Sequence, residues 1–196
     1  MLKIGLIIGS TRQNRFADVP TRWIEDGASK RSDLRVETLD LRDYDLPFFD
    51  EPLPPAYTGG VFTRLEAERW RRKLEDCDGF IATVAEYNHG PTAVLKNAFD
   101  SALLEWRRKP IGFVGYGGVG AARAIEQLNG VAIALQLAPV KAVNIGMEPF
   151  MGVLQHGKSL DEFPYLVEAR DAQFDELAWW GRALRDARQA RLSRAA

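Results

Sequence analysis

The hydrophobic pattern of the chain switches repeatedly between two periods. "LKIGLII", Leu2 to Ile8, is short, almost wholly apolar and closed by Gly9, which predicts a strand buried on both faces. Phe16, Val19, Trp23, Ile24 and Ala28 then recur at helical spacing. Pro20 fits that helix only in its first turn, so the helix begins near Phe16 and Ser10 to Arg15 form an open loop. "LRVETLDL" alternates roughly, as a half-exposed strand should, and residues 42–60, with Pro47, Pro52, Pro54 and Pro55, predict a long surface loop. A charged amphipathic helix follows from about Val61 to Glu75. Then come strand "GFIATV", a helix over 91–106, strand "IGFVG", a helix over 120–136, strand "VKAVNI" and a last helix over about 165–193.

Five strands separated by helices predict an α/β fold: a three-layer sandwich around a five-stranded parallel sheet. Runs 1, 3 and 4 are continuously apolar while runs 2 and 5 alternate, which puts 2 and 5 at the edges and gives the order 2-1-3-4-5. No repeat or linker divides the chain, so a single domain over residues 1–196 is expected. The net charge of −1 argues against nucleic acid or a membrane surface as partner. One cysteine, Cys77, no visible signal peptide and no apolar run near the roughly 18 residues of a membrane helix lead us to expect a cytoplasmic protein.

In a sheet of this order a ligand binds beyond the carboxyl ends of the strands, between strands 1 and 3. The loops after strands 1, 3 and 4 are the three unusual stretches of the chain. "GSTRQNR" offers a turn at Gly9, hydroxyls at Ser10 and Thr11, guanidinium forks at Arg12 and Arg15, and the N-terminus of the next helix, a set suited to a phosphate. The alternative is a helix cap with two solvated arginines. It is not a triphosphate-binding loop, because no Lys-Ser/Thr closes it. Gly115 to Gly120 matches the dinucleotide pattern G-x-G-x-x-G, but "APVKAVNIG" lacks the acid that such a site wants on the next strand. Its glycines suit close approach to a flat ligand, with Tyr116 lying against it. The third stretch, "EYNHGP", ends a buried strand with the polar side chains of Glu86, Tyr87, Asn88 and His89.

Taken together, "GSTR", "EYNHGPTAVLKNAFD" and "GYGGVGAARAIEQL" resemble the NADPH-dependent FMN reductase family, which includes flavodoxin-like quinone, azo-dye and chromate reductases. The resemblance implies a flavodoxin-like fold, FMN as cofactor, and NADPH or NADH as co-substrate. Ser10, Thr11, Arg12 and Arg15 would hold the FMN phosphate. Glu86, Tyr87, Asn88 and His89 would line the ring and ribityl chain, and Tyr116, Gly117 and Gly118 would close the other side. Ala85 stands where the family usually has proline, and Gly90-Pro91 where it often has a polar pair followed by Pro-Gly. The family also implies a homodimer or homotetramer, with Phe48 and Phe49 either covering a neighbour's flavin or tucked onto their own core.

The remaining chemistry agrees with a reaction carried by the cofactor, with no catalytic side chain. His89 and His156 give no metal-ligand spacing, no metal site is expected, and Ser10 has no base beside it. Cys77 precedes strand 3, at the wrong end of the sheet, and reads as a packed residue. Val94, Leu95, Ala98, Phe99, Ala102, Leu103 and Trp106 form an apolar face wider than one sheet contact needs. Because the family's members pair through this region, the resemblance implies a contact with a second copy, with core packing alone as the alternative. Arg182, Arg185, Arg188, Arg191 and Arg194 drift around a helix and read as a solvated end. The expected function is an FMN-dependent NAD(P)H oxidoreductase acting on a small-molecule electron acceptor. The alternative is a flavodoxin-type electron carrier, against which the near-neutral charge speaks.

Overall fold

The computed structural model of the chain describes residues 1–195, with side chains to residue 190. Strand β1 (Leu2–Ile8) pairs in parallel with β2 (Leu34–Asp40) on one side and with β3 (Gly79–Tyr87) on the other, and β3 pairs with β5 (Pro110–Tyr116). Alternate side chains of β3 enter different layers: Phe80, Ala82 and Val84 join one core cluster, Ile81 and Ala85 the other. That two-sided burial is why the run is continuously apolar. The sheet has seven strands rather than the expected five, in the order β2-β1-β3-β5-β6. The additions are β4 (Gly90–Pro91), a short arm folded back on β3, and a last strand split into β6 (Ala138–Pro139) and β7 (Val143–Ile145). The helix layers match the expected three-layer α/β class.

The split is a bulge. Ile111 faces Pro139 but Val114 faces Val143, so three steps along β5 are matched by four along its neighbour. Fully buried Gln173, from the last helix, spans the gap: its Nε2 donates to Phe113 O at 3.0 Å and Lys141 O at 2.7 Å.

One layer holds α2 (Leu65–Glu75), α3 (Ala93–Asp100) and α4 (Ala122–Ala134). Its aromatic centre is Trp106, with ring centroids 4.8 Å from Phe80, 5.1 Å from Phe99 and 6.1 Å from Trp70. Both buried indoles are satisfied, Trp70 donating to Ala98 O and Trp106 to Phe99 O. The Trp106 bond explains why α3 stops at Asp100 instead of running to 106. The Phe99 carbonyl that helix continuation would offer to Leu103 serves Trp106, and the Leu103 N–H donates to Glu105 instead. It also revises the expected face for a second copy: Leu95, Ala98, Phe99, Ala102 and Trp106 are all buried in this chain's own core. The other layer holds α1 (Asp18–Ser29), with Pro20 in its first turn, and α6 (Pro164–Ala195). A helix missing from the sequence reading, α5 (Met147–His156), follows β7 and is closed by Gly157 in the left-handed region.

Cys77 and Lys109 are buried together at the N-terminal pole of the sheet, where Lys109 Nζ donates to the Leu74 and Glu75 carbonyls ending α2. Burial lowers the Lys109 ammonium to about 8 and raises the Cys77 thiol to about 11. Between pH 8 and the ordinary lysine value of 10.5 the unfolded chain binds more protons at Lys109, so this group makes stability rise with pH. Cys77 opposes it only above its ordinary value of 9.0, where the unfolded thiol ionises first. Chemical denaturation between pH 8 and 9 is therefore expected to show a rise in stability that Lys109→Met flattens. Equal slopes in the two proteins would remove Lys109 as its source.

Candidate functional site

β3 outruns its neighbours. β1 accompanies it only to the pair Ile8–Thr83, and β5 to Ala85–Tyr116. Where β1 and β3 part, a cleft of about 150 Å³ opens between the loop after β1, residues 85–87 of β3, Tyr116 and Gly117 after β5, and Phe150 of α5. A second hollow of about 370 Å³ continues from it over Ser10 to Arg12, Tyr87 and the start of α3. This is the switch-point position that the strand order implies.

The first loop is built from its backbone outward. Gly9 N donates to Thr83 Oγ1 at 3.1 Å, and Gly9 O accepts from Thr92 Oγ1 at 2.6 Å. Thr92 is also the N-cap of α3, its hydroxyl accepting from Leu95 N. A Cβ on Gly9 would lie 2.2 Å from the Thr83 carbonyl, so glycine is required by close approach rather than by the sharp turn that the sequence suggested.

Arg15 does not project into the cleft as a free cation. Its Nε donates to Asp18 at 2.7 Å, its Nη1 to Ser10 O and to Asp40 at 2.7 Å each, and its Nη2 to the other Asp40 oxygen. Four of its five N–H groups are thus engaged, and its side chain is only 4% exposed. Burial opposes the Asp40 carboxylate, but the Arg15 fork and the Arg42 amide outweigh it and hold Asp40 below the usual carboxylate range. Arg42 in turn reaches the Thr11 and Arg12 carbonyls. Two arginines therefore engage three successive carbonyls. Because a trans peptide points its N–H opposite to its C=O, the amides of Thr11, Arg12 and Gln13 turn the other way, with the Arg12 N–H reaching the Ser10 hydroxyl at 3.4 Å. That is an anion cradle. Exposed Arg12 beside it has no carboxylate partner among the described residues.

The second loop is a tight hairpin. Tyr87 and Gly90 pair across Asn88 and His89, both with positive φ (51° and 71°), the signature of a two-residue reversed turn. The Glu86 carboxylate is turned away from the cleft. It pairs with Arg123 and accepts from Arg123 N at 3.1 Å and Ala124 N at 3.3 Å, amides in the first turn of α4. Burial opposes its charge, but Arg123 and these amides hold its carboxyl below the ordinary range. The anion position at the head of α4 is thus filled by the protein itself, which removes the pyrophosphate site that G-x-G-x-x-G would require. The glycines there have a packing reason: a Cβ on Gly115 would lie 2.1 Å from Gly120 O.

Ser10, Thr11, Arg12, Arg15, Tyr87, Tyr116 and Gly117 thus come together around the two hollows, with Glu86 contributing backbone, Asn88 and His89 at the hairpin tip, and Gly118 exposed beyond the rim. Tyr116 is floor rather than lid: it is buried, with its ring 5.2 Å from Phe16, which lies tilted against Phe150 at 4.6 Å. Burial pushes its phenol well above the ordinary value. Phe16, Phe150, Asp40, Arg42, Thr92 and Arg123 went unassigned in the sequence reading. Only Thr92 carried a signal, as a cap residue ahead of an apolar helical run.

Among solved structures the chain resembles FerB, a flavoenzyme NAD(P)H:acceptor oxidoreductase from Paracoccus denitrificans, with TM-score 0.71 and 20% identity over 93% of this chain and 98% of that one. It also resembles a flavodoxin from Pseudomonas aeruginosa, at TM-score 0.52 and 13% identity over 88% and 99%. These likenesses define the class: a flavodoxin-like α/β protein. The family model for NADPH-dependent FMN reductase matches residues 2–149, and the chain belongs to that family. An NAD(P)H-dependent FMN reductase of Schizosaccharomyces pombe is 31% identical over 182 residues, 85% of this chain and 91% of the relative. One from a Nectria species is 35% identical over 150 residues, 73% and 75% of the two.

The cradle depends on the Asp40 carboxylate, which is not among the residues lining either hollow. Asp40→Asn, which weakens the hold on Arg15 and Ser10 O, is expected to reduce FMN affinity about tenfold, some 1.4 kcal/mol, in a fluorescence titration. Affinity unchanged from the parent protein would mean that the loop keeps its shape without the clamp.

Proposed function

We propose that this chain is an FMN-dependent oxidoreductase that uses NADPH or NADH to reduce small acceptors such as quinones, azo compounds, chromate or free flavin. The observation that carries it is the anion cradle of Thr11–Gln13 with Arg12 at the β1–β3 switch point, in a chain of the FMN reductase family. The residues fit the cofactor. The cradle and Arg12 take its phosphate, while Arg15 acts one step back by shaping the loop. The end of β3, with Tyr87 to His89, offers main-chain groups along the cleft, and Gly117 and Gly118 stand across from it. Tyr116, Phe16 and Phe150 close the floor against water. Bound FMN supplies hydride acceptance and onward electron transfer, so the chain itself needs to bind and orient, with no nucleophile or proton-transfer residue assigned.

Residues 1–196 serve in this reading as one FMN-binding domain in the cytoplasm; no helix among the described residues is long and apolar enough to cross a membrane. A homodimer or homotetramer is supported by the Pro-rich segment rather than by the face of residues 94–106: Phe48, Tyr57 and Leu65, all more than three-quarters exposed, lie on or beside it. A carrier without its own turnover is disfavoured by the net charge of −1 and by family membership.

The purified protein should be yellow or take up added FMN, and anaerobic NADPH or NADH should bleach it. A colourless protein that ignores FMN sinks the flavin reading, and a yellow one that neither nicotinamide bleaches favours the carrier. Arg12→Ala is expected to weaken FMN binding by about 1.5–3 kcal/mol, roughly ten- to hundredfold. An unaltered dissociation constant would show Arg12 to be only a solvated side chain.

A further inference from the structure

At the opposite pole of the sheet from the cleft, the C-terminal turn of α2, residues 104–109 and the middle of α6 enclose a polar cavity of about 500 Å³. Five cationic side chains line it (Arg71, Arg107, Lys109, Arg185 and Arg188) against three carboxylates, Glu75, Asp78 and Glu105. Two of those carboxylates are already engaged. Glu105 accepts from Arg71 at 2.6 and 2.9 Å and from Leu103 N at 3.2 Å. Asp78 accepts from Lys3 N at 3.0 Å and stands 3.6 Å from both Arg185 and Arg188, so one charge is shared by two arginines beyond hydrogen-bond distance. These arginines are therefore not the solvated end that their spacing suggested; the side chains of Arg191 and Arg194 lie outside the described residues.

Two donors are left over. Lys109 is 6% exposed and gives two of its three protons to carbonyls, with no carboxylate partner among the described residues. Arg107 has its Nε buried with no hydrogen-bond partner at all. Buried donors in a native protein are nearly always satisfied, so an unpaired guanidinium nitrogen and an ammonium with one proton unused, lining one cavity with excess positive charge, call for an acceptor from outside. The acceptor that matches a planar fork plus point charges is a phosphate oxygen.

We propose that this cavity is a second anion site, which binds a diphosphate group, free as pyrophosphate or carried by a nucleotide, through Arg107, Lys109 and Arg188. It is independent of the flavin cleft, on the far side of the sheet from the cradle. Calorimetric titration of the FMN-saturated protein in low-salt, phosphate-free buffer, first with pyrophosphate and then with ADP, tests it. One site per chain is expected for pyrophosphate, weakened about tenfold or more by Arg107→Gln, partly restored in Arg107→Lys, and weakened by added salt. ADP binding as tightly as pyrophosphate would identify a nucleotide as the source, and weaker ADP binding the free anion. No heat on the FMN-saturated protein, or binding that a folded Arg107→Gln leaves unchanged, would overturn the proposal, whereas failure of FMN binding would bear only on the cleft.

Discussion

The candidate site rests on an ion pair within the protein itself. Arg15, in the loop after β1, grips Asp40 at the end of β2 with both arms of its guanidinium and holds the Ser10 carbonyl with the same group. Arg15 is buried and Asp40 half-buried, and Asp18 holds the third side of the guanidinium, so the geometry of the pair is tightly set. Two adjacent parallel strands are thereby locked beside the cleft. Arg42 repeats the device one residue further along.

The same division between holding and contacting runs through the rest of the cleft. Glu86, the most acidic-looking member of the polar cluster after β3, spends its charge on the head of α4 and on Arg123. That fixes the direction in which β3 leaves the sheet and leaves its main chain to face the cleft. Thr92 ties the loop after β1 to the start of α3. The aromatic column Tyr116–Phe16–Phe150 brings α5 against the floor. A flavin brings its own reactive atom, so a protein of this family needs a rigid, shaped recess more than a reactive side chain.

The two poles of the sheet carry different electrostatics for reasons visible in the topology. All the parallel strands end on one side, where loop amides and helix N-termini gather and favour anions. At the other pole helix C-termini gather: Lys109 caps the last carbonyls of α2 there, and arginines of α6 converge on a single shared Asp78. Positive side chains offset the negative helix ends and exceed what the local carboxylates can pair with.

Periodicity by itself determined the alternation of strands and helices, the edge positions of the two alternating strands, and hence the end of the sheet where a ligand binds. Local hydrophobic pattern is sufficient for that, because burial on one face or two is written into each run. The loop residues Ser10 to Arg15 and 86–89 were legible as a candidate site because their polarity contradicts their place at the ends of buried strands. Tertiary structure alone decided what each of them does. Arg12 and Arg15 look equivalent in sequence, yet only Arg15 meets Asp40, which is 25 residues away and becomes a neighbour through strand pairing. Helix α3 ends early because Trp106 takes its carbonyl, and the last strand bulges across a gap that Gln173 spans from a distant helix. Which hydrogen-bonding group faces the cleft, and which is consumed in holding it open, depends on partners far apart in the chain, and no local pattern encodes those.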